Sequence, residues 1–153
     1  MADLLERSTH ILEPHEFDNL LYVRKVLETG RLADVEEAIR PIDYETDRVI
    51  SVGASIGTKL VSVASLERDI QYPTSFEMSK VATLLMYRRM GFGEMTVRRL
   101  ILEAKERGAE RIMLNSRLGN AQRLYSRVGF EPVGEAFICN QGIYNQRMKL
   151  EVE

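Results

Sequence analysis

The stretch that decides the fold covers residues 81–93 and reads Val81-Ala82-Thr83-Leu84-Leu85-Met86-Tyr87-Arg88-Arg89-Met90-Gly91-Phe92-Gly93. Its first part predicts the end of a strand, and its second part carries arginines and glycines. Glycine permits turns and close backbone approaches that other residues resist. A helix that begins directly after such a turn presents free N–H groups, and its dipole favours an anion there. The stretch therefore predicts a strand, a turn suited to a diphosphate, and a helix.

The spacing of these glycines excludes two common nucleotide motifs. The phosphate loop of nucleotide triphosphatases needs Gly-Lys-Ser/Thr, which does not occur here. The dinucleotide fingerprint needs a third glycine at position 96, where the chain has Thr96. An ordinary strand-to-helix turn without a ligand remains the alternative for two glycines considered alone.

Hydrophobic periodicity and turn residues predict the elements on both sides of this stretch. In chain order they are helices over 15–28 and 33–39, strands over 48–54, 60–66 and 77–84, a helix over 93–107, a strand over 111–115, a helix over 120–128, and strands over 133–139 and 143–150. Asn120 is the expected N-cap of its helix, and Gly30 the expected stop of the first. The order ααβββαβαββ indicates a mixed α/β domain, and a weakly marked strand or helix before Pro14 stays open.

The composition is that of one folded domain. The chain has 153 residues, of which 44% are hydrophobic and 29% are charged, so it can bury a core. We therefore predict a single domain over residues 1–153. The formal net charge of −2 gives no basic excess for nucleic acid or an anionic membrane. No apolar run approaches the ~18 residues of a membrane span.

The few cysteines and histidines limit the chemistry. Cys139 is the single cysteine, and His10 and His15 are the two histidines, so neither an internal disulfide nor a structural metal centre is expected. Asp3 and Glu6 interrupt any secretory signal, and the lack of disulfides favours the cytoplasm. We interpret Cys139 as a small buried residue, because no histidine lies near it in sequence.

Two motifs carry a resemblance to a known family. Residues 88–93 resemble the acyl-CoA-binding motif Arg/Gln-x-x-Gly-x-Gly/Ala of the GNAT superfamily of N-acyltransferases. Residues 120–130, Asn-Ala-Gln-Arg-Leu-Tyr-Ser-Arg-Val-Gly-Phe, resemble the family's Asn-x-x-Ala/Gln-x-x-Leu/Phe-Tyr-x-x-x-Gly-Phe helix. The element order also matches from about residue 48 to residue 150. The resemblance implies a GNAT-like α/β domain with a mixed, mostly antiparallel sheet flanked by helices.

The resemblance also implies acetyl-CoA as co-substrate and a set of residues that bind it. The preceding strand would run along the pantetheine arm, the turn would wrap the pyrophosphate, and the second motif would add one contact. These residues are Val81, Ala82, Thr83, Arg88, Arg89, Met90, Gly91, Phe92, Gly93 and Asn120. Arg123 and Arg127 either reach the ribose phosphate or form a solvated face.

Tyr125 and Glu77 are the candidate catalytic residues. A tyrosine hydroxyl can protonate the leaving CoA thiolate, and members of the family commonly carry a tyrosine at this position. The alternative is a packed aromatic, since Tyr125 lies on an apolar stripe with Leu124. Glu77 is the candidate general base, with Glu135 as a second carboxylate. The alternative is that both carboxylates are surface residues without a catalytic role, and that water relays take up the amine proton.

The resulting function is an N-acetyltransferase in which an acceptor amine attacks acetyl-CoA directly. One alternative transfers longer acyl chains, because residues 76–81 are loosely similar to the Glu-x-Ser-Arg stretch of acyl-homoserine-lactone and long-chain N-acyl amino acid synthases. The other is a non-catalytic acyl-CoA-binding module. The acceptor is a small molecule or a protein amine. Acidic residues between positions 28 and 47 mildly favour a cationic acceptor, or form a solvated face. Edge pairing of the last strands suggests a homodimer.

Overall fold

The computed structural model describes residues 6–28, 41–45, 47–139 and 142–152. Within these ranges the chain forms eight strands and three α-helices. The strands are β1 (Arg7–Ile11), β2 (Val49–Ile56), β3 (Lys59–Arg68), β4 (Ser75–Thr83), β5 (Arg111–Arg117), β6 (Glu131–Pro132), β7 (Phe137–Ile138) and β8 (Tyr144–Glu151). The helices are α1 (Phe17–Glu28), α2 (Phe92–Glu106) and α3 (Asn120–Arg127).

All strands belong to one mixed sheet. Its order is β1-β2-β3-β4-β5-β8-β6, and β7 pairs with a further part of β8. The β4–β5 pair is parallel, whereas the other neighbouring pairs are antiparallel. The predicted fold class, a mixed and mostly antiparallel sheet flanked by helices, is therefore confirmed.

Helices cover the two faces of this sheet. On one face, Leu20 and Val23 of α1 share a core with Val61 and Val63 of β3. On the other face, Leu66 and other buried residues of the sheet pack against α2 and α3 in a larger core. Side chains alternate along a strand, so neighbouring residues of β3 contribute to different cores.

The parallel pair β4–β5 opens early. Only Ser75–Glu77 pair with 111–113, and the two strands separate beyond this point. The register of β4 on β3 also shifts by one residue near Lys80, whose φ of 54° lies in the left-handed region. The separation begins directly after Glu77. One edge of β4 is consequently left without a neighbouring strand over several residues.

Two local predictions were wrong, and the element left open before Pro14 is a strand. The region before Pro14 forms β1, a polar edge strand whose sequence, RSTHI, gives little hydrophobic signal. Of the predicted strand over 133–139, only β7 at residues 137–138 forms; β6 lies earlier, at residues 131–132, and Gly134 turns the chain between them at a φ of 70°. Gly119, not Asn120, caps α3; its φ of 100° and ψ of −129° suit glycine alone. The predicted helix over 33–39 and the stop at Gly30 lie outside the described residues.

Candidate active-site cleft

A cleft of about 990 Å³ lies where β4 and β5 separate. We call it the main cleft. Arg24 of α1 borders it on one side of the sheet, and Tyr125 of α3 on the other, so it reaches both faces. Eight of the ten predicted cofactor residues line it, namely Val81, Ala82, Thr83, Arg88, Arg89, Gly91, Gly93 and Asn120. The structure thus brings together residues that are up to 39 positions apart in sequence (81 to 120).

Free backbone N–H groups mark one end of the main cleft. Gly91 is the N-cap of α2, with a φ of 87°, and no side chain caps this helix. The first helical hydrogen bond runs from the Met95 N–H to the Gly91 carbonyl oxygen. Among the described residues, the N–H groups of residues 89–94 have no hydrogen-bond acceptor. Six such donors at the positive end of a 15-residue helix form a site suited to an anion.

Gly93 keeps this end of the main cleft open. A methyl group built on its Cα would lie 3.5 Å from Thr83 Oγ1 and 3.6 Å from Leu124 Cδ2, which are ordinary contact distances. The side chain that glycine lacks would therefore point into the gap between β4 and α3. Arg88 stands beside this gap, with its Nε donating to the Thr83 carbonyl oxygen at 3.2 Å.

Met90 and Phe92 lie apart from the other predicted cofactor residues. Phe92 is 1% exposed and belongs to the core on the α1 side of the sheet. The guanidinium of Arg7 stacks 4.6 Å from the centre of its ring and also donates to the Met90 carbonyl oxygen. Phe92 can thus reach a ligand only through its backbone, and Arg7 of the edge strand β1 holds the turn in place.

The arginines of α3 have different environments. Arg127 Nε donates to Glu94 at 3.2 Å, which ties α3 to the first turn of α2. Hydrogen bonds from Arg127 and then from Arg98 lower the pKa of Glu94. Among the described residues, Arg123 makes only a long hydrogen bond of 3.5 Å, to Asn120 Oδ1. Of the two arginines predicted near the ribose phosphate, Arg123 is therefore the one that has no acidic partner in the described part of the chain.

Tyr125 is buried at the wall of the main cleft. Its side chain is 6% exposed, and its ring packs edge-to-face on Phe130 at 5.8 Å. A buried tyrosine hydroxyl usually has a hydrogen-bond partner, yet no described residue bonds this one. Burial raises the pKa of Tyr125 from 10.0 to about 12. The hydroxyl therefore stays protonated across the physiological pH range and can donate into the main cleft.

The raised pKa of Tyr125 makes stability depend on alkaline pH. The unfolded chain releases this proton near pH 10 and the folded protein near pH 12, so the folded state binds more protons between them. The free energy of unfolding should fall as pH rises through this window, with about 1.4 kcal/mol lost to Tyr125 by pH 11. The measurement is urea unfolding at pH 9 and pH 11. Between these two pH values the free energy of unfolding of Tyr125→Phe should fall by about 1.4 kcal/mol less than that of the wild type. Equal losses in the two proteins would contradict a buried hydroxyl.

Glu77 lies on a different cavity from Tyr125. Its two carboxylate oxygens accept hydrogen bonds from Arg147 Nη1 and Nη2 at 2.5 and 2.9 Å. Both residues line a second cavity of about 370 Å³. This cavity lies on the same face of the sheet as α1, beside the part of that face that α1 covers. The ion pair between Glu77 of β4 and Arg147 of β8 crosses β5 at the level where β4 and β5 separate. The two predicted catalytic residues are therefore not brought together in one pocket.

The remaining candidates lie outside both cavities. Glu135 is exposed, and His10 Nε2 lies 3.0 Å from Glu16 Oε1. Cys139 is half-buried, and its backbone N–H bonds to the Ile143 carbonyl oxygen. No group of three metal-binding side chains occurs among the described residues. None of the described helices is both long and apolar enough to cross a membrane.

The structure also places three arginines that the sequence did not indicate. Arg24 lines the main cleft although it is only 4% exposed; it donates to Ser65 and lies 3.5 Å from Asp43. Arg117 lines the main cleft and Arg147 the second cavity. For Arg117 the available signal was its even spacing from Arg111 and Asn115 in β5, which places the three side chains on one face of the strand.

The comparison with family models decides the relationship of this chain. A model described as an acetyltransferase (GNAT) domain matches residues 33–152. The chain belongs to the GNAT acetyltransferase family. The resemblance of the two sequence motifs is thereby confirmed. A search of curated proteins finds no match.

Solved structures show the GNAT fold at low sequence identity. A GNAT-family structure from Desulfovibrio desulfuricans has a TM-score of 0.80 at 12% identity, covering 97% of this chain and 100% of that one. The Escherichia coli ribosomal-protein-S18-alanine N-acetyltransferase has a TM-score of 0.75 at 17% identity, with 96% and 94% covered. A Salmonella typhimurium structure described with its cofactor acetyl-CoA has a TM-score of 0.75 at 16% identity, also with 96% and 94% covered.

Proposed function

We propose that the protein transfers the acetyl group of acetyl-CoA to the amine of an acceptor. The observation that carries the proposal is the convergence of three features in the main cleft. They are the unpaired edge of β4, the free N–H groups of residues 89–94, and the buried hydroxyl of Tyr125. Family membership supports the same reaction class, and the Salmonella typhimurium structure is described with acetyl-CoA.

The chain offers suitable partners for each part of CoA. The N–H groups of residues 89–94 can bind the diphosphate, with added positive charge from Arg88 and Arg89. The free edge of β4 at Val81–Thr83 can hydrogen-bond the amides of an extended pantetheine arm, as a further strand would. Asn120 and Arg123 border the same space on α3. Acetyl-CoA would supply a thioester whose carbonyl carbon is open to an amine.

In the proposed reaction, the uncharged amine attacks the thioester carbonyl, a C–N bond forms, and the C–S bond breaks. The amine loses one proton and the departing sulfur gains one, so protons balance. We assign the donor role to the hydroxyl of Tyr125. Its pKa of about 12 exceeds that of a free thiol, ~8.5. Transfer of the tyrosine proton to a free thiolate is therefore uphill. Burial in the same cleft also raises the pKa of a thiol beside Tyr125, which reduces the pKa difference and makes the transfer easier.

Glu77 stays a proposal for the group that takes the amine proton. Its carboxylate is paired with Arg147, so an amine would have to share or displace that guanidinium. The measurement compares kcat for Glu77→Gln and Arg147→Gln. A base predicts a much larger fall in kcat for Glu77→Gln, whereas a residue that only positions Arg147 predicts a fall no larger than that of Arg147→Gln.

The proposed function is tested by release of CoA thiol from acetyl-CoA in the presence of a panel of amines. The panel contains free amino acids, a polyamine, an aminoglycoside and peptides with a free N-terminus. Amine-dependent thiol release with the matching acetylated product would support the proposal. Tight CoA binding without release for any amine would favour a non-catalytic acyl-CoA-binding module. Faster release from octanoyl-CoA would favour the long-chain alternative.

A further inference from the structure

We propose that the acceptor amine belongs to a molecule that also carries a carboxylate, and that Arg117, beside the paired Arg147, binds this carboxylate at the main cleft. The inference rests on the proposed acetyl transfer and names the acceptor class for that site. It concerns the polar face of β5 and β8, which neither the CoA-binding residues nor Tyr125 account for.

Four polar side chains form a square on this face. In β5, Asn115 and Arg117 alternate with the buried residues of the larger core, so they point to the opposite side of the sheet. Their antiparallel partners on β8 are Arg147, opposite Asn115, and Asn145, opposite Arg117. Side chains directly opposite in such a pair share a face. The two arginines therefore occupy one diagonal of the square, where residues lie ~7–8 Å apart.

The two arginines differ in how their charge is compensated. Arg147 is held by both oxygens of Glu77 and donates to Asn115 Oδ1 at 3.1 Å. Arg117 is exposed, lines the main cleft and has no acidic partner within the described part of the chain. One positive charge is thus left over, at the point where the square meets the main cleft.

A carboxylate fits this arrangement better than a second cation. The guanidinium fork of arginine binds a carboxylate with two parallel hydrogen bonds. A polyamine would instead bring positive charge next to Arg117. Acidic residues between positions 28 and 47 favoured a cationic acceptor. One of them, Asp43, does not neutralise Arg117, because it is 1% exposed and lies 3.5 Å from Arg24. With the carboxylate on Arg117, the rest of the acceptor extends into the main cleft towards Tyr125.

The test compares amines that differ in one carboxylate, using thiol release from acetyl-CoA. The pairs are alanine and alaninamide, 4-aminobutyrate and butylamine, and the dipeptides Asp-Ala-amide and Asn-Ala-amide, compared at equal concentration of uncharged amine. In at least one pair, the carboxylate member should have a kcat/KM at least ~10-fold higher. A preference in the alanine pair indicates a free amino acid as the acceptor, and a preference in the dipeptide pair indicates the N-terminus of an acidic peptide.

Variants then assign the preference to Arg117. Arg117→Gln should reduce the ratio of kcat/KM between carboxylate and neutral members by ~10-fold, and Arg117→Lys should recover part of it. Arg111→Gln is the matched control, because Arg111 is on the same face of β5 but lies 3.5 Å from Glu151 and lines neither cavity. It should keep the wild-type ratio. No preference in any pair, or equal ratios in Arg117→Gln and Arg111→Gln, would overturn the inference.

Failure of the proposed function is distinguishable from failure of this inference. If the wild type releases no thiol with any amine, acetyl transfer is contradicted. Calorimetric titration of the same amines into the protein saturated with CoA then decides the acceptor class. Tighter binding of carboxylate members, weakened ~10-fold in Arg117→Gln, supports the site; equal binding of both members overturns it.

Discussion

Tyr125→Phe is expected to lower kcat for acetyl transfer by ~10²-fold, within the range that general acids contribute. Phenylalanine keeps the ring and its edge-to-face contact with Phe130. It removes only a hydroxyl that no described residue bonds, so stability at pH 7 should change by less than about 1 kcal/mol. CoA affinity should stay near that of the wild type, since the proposed binding uses backbone groups. The measurements are steady-state kinetics, thermal unfolding and calorimetry with CoA.

A matched control separates this effect from the loss of any tyrosine hydroxyl. Tyr72 is 66% exposed and lines neither cavity, so Tyr72→Phe should retain wild-type kcat. Near-normal kcat for Tyr125→Phe between pH 6 and pH 9 would contradict the acid role. Tyr125 would then be a packing residue, as the apolar stripe of α3 also allows.

Gly93→Ala is expected to weaken CoA binding by ~30-fold, about 2 kcal/mol, comparable to the loss of one hydrogen bond to a charged group. The added methyl fits the protein, since its nearest neighbours, on Thr83 and Leu124, would be at least 3.5 Å away. It would, however, occupy the space where a diphosphate approaches the start of α2. Calorimetry with CoA measures the change in affinity, and thermal unfolding shows that the variant is folded.

Gly108→Ala is the control for this prediction. Gly108 has a φ of 81°, so alanine there is strained, but nothing lies within 4 Å of the added methyl and the residue is outside the main cleft. This variant should lose stability and keep its CoA affinity. An unchanged CoA affinity in folded Gly93→Ala would place the diphosphate elsewhere.

Strong local signals made most of the fold predictable. The runs of small and β-branched residues in β2 and β3, the helical period of α2 and the glycines at 91 and 93 are each specified over a few residues. The choice between a strand and a helix before Pro14 stayed open because a polar edge strand such as β1 buries little and shows no hydrophobic alternation. The first part of the predicted strand over 133–139 does not form because of the turn at Gly134, which the apolar residues around it conceal.

The site was only partly predictable, for a related reason. The strand, turn and helix at residues 81–93 are contiguous, so the sequence placed them together. The pairing of Glu77 with Arg147 joins residues 70 positions apart and depends on the order of β4, β5 and β8 in the sheet. Arg117 and Arg147 share a diagonal through the register of β5 on β8. Such long-range registers are set by the whole sheet and not by any local pattern.

The central claim is that backbone N–H groups at the start of α2 bind CoA in the main cleft. Titration of ¹⁵N-labelled protein with CoA, followed through the backbone amide resonances, tests it most directly. The account predicts that the largest chemical-shift changes occur at residues 89–94, with further changes at Val81–Thr83 on the free edge of β4. Saturation with CoA that leaves residues 89–94 unchanged, and shifts residues around Glu77 and Arg147 instead, would contradict it.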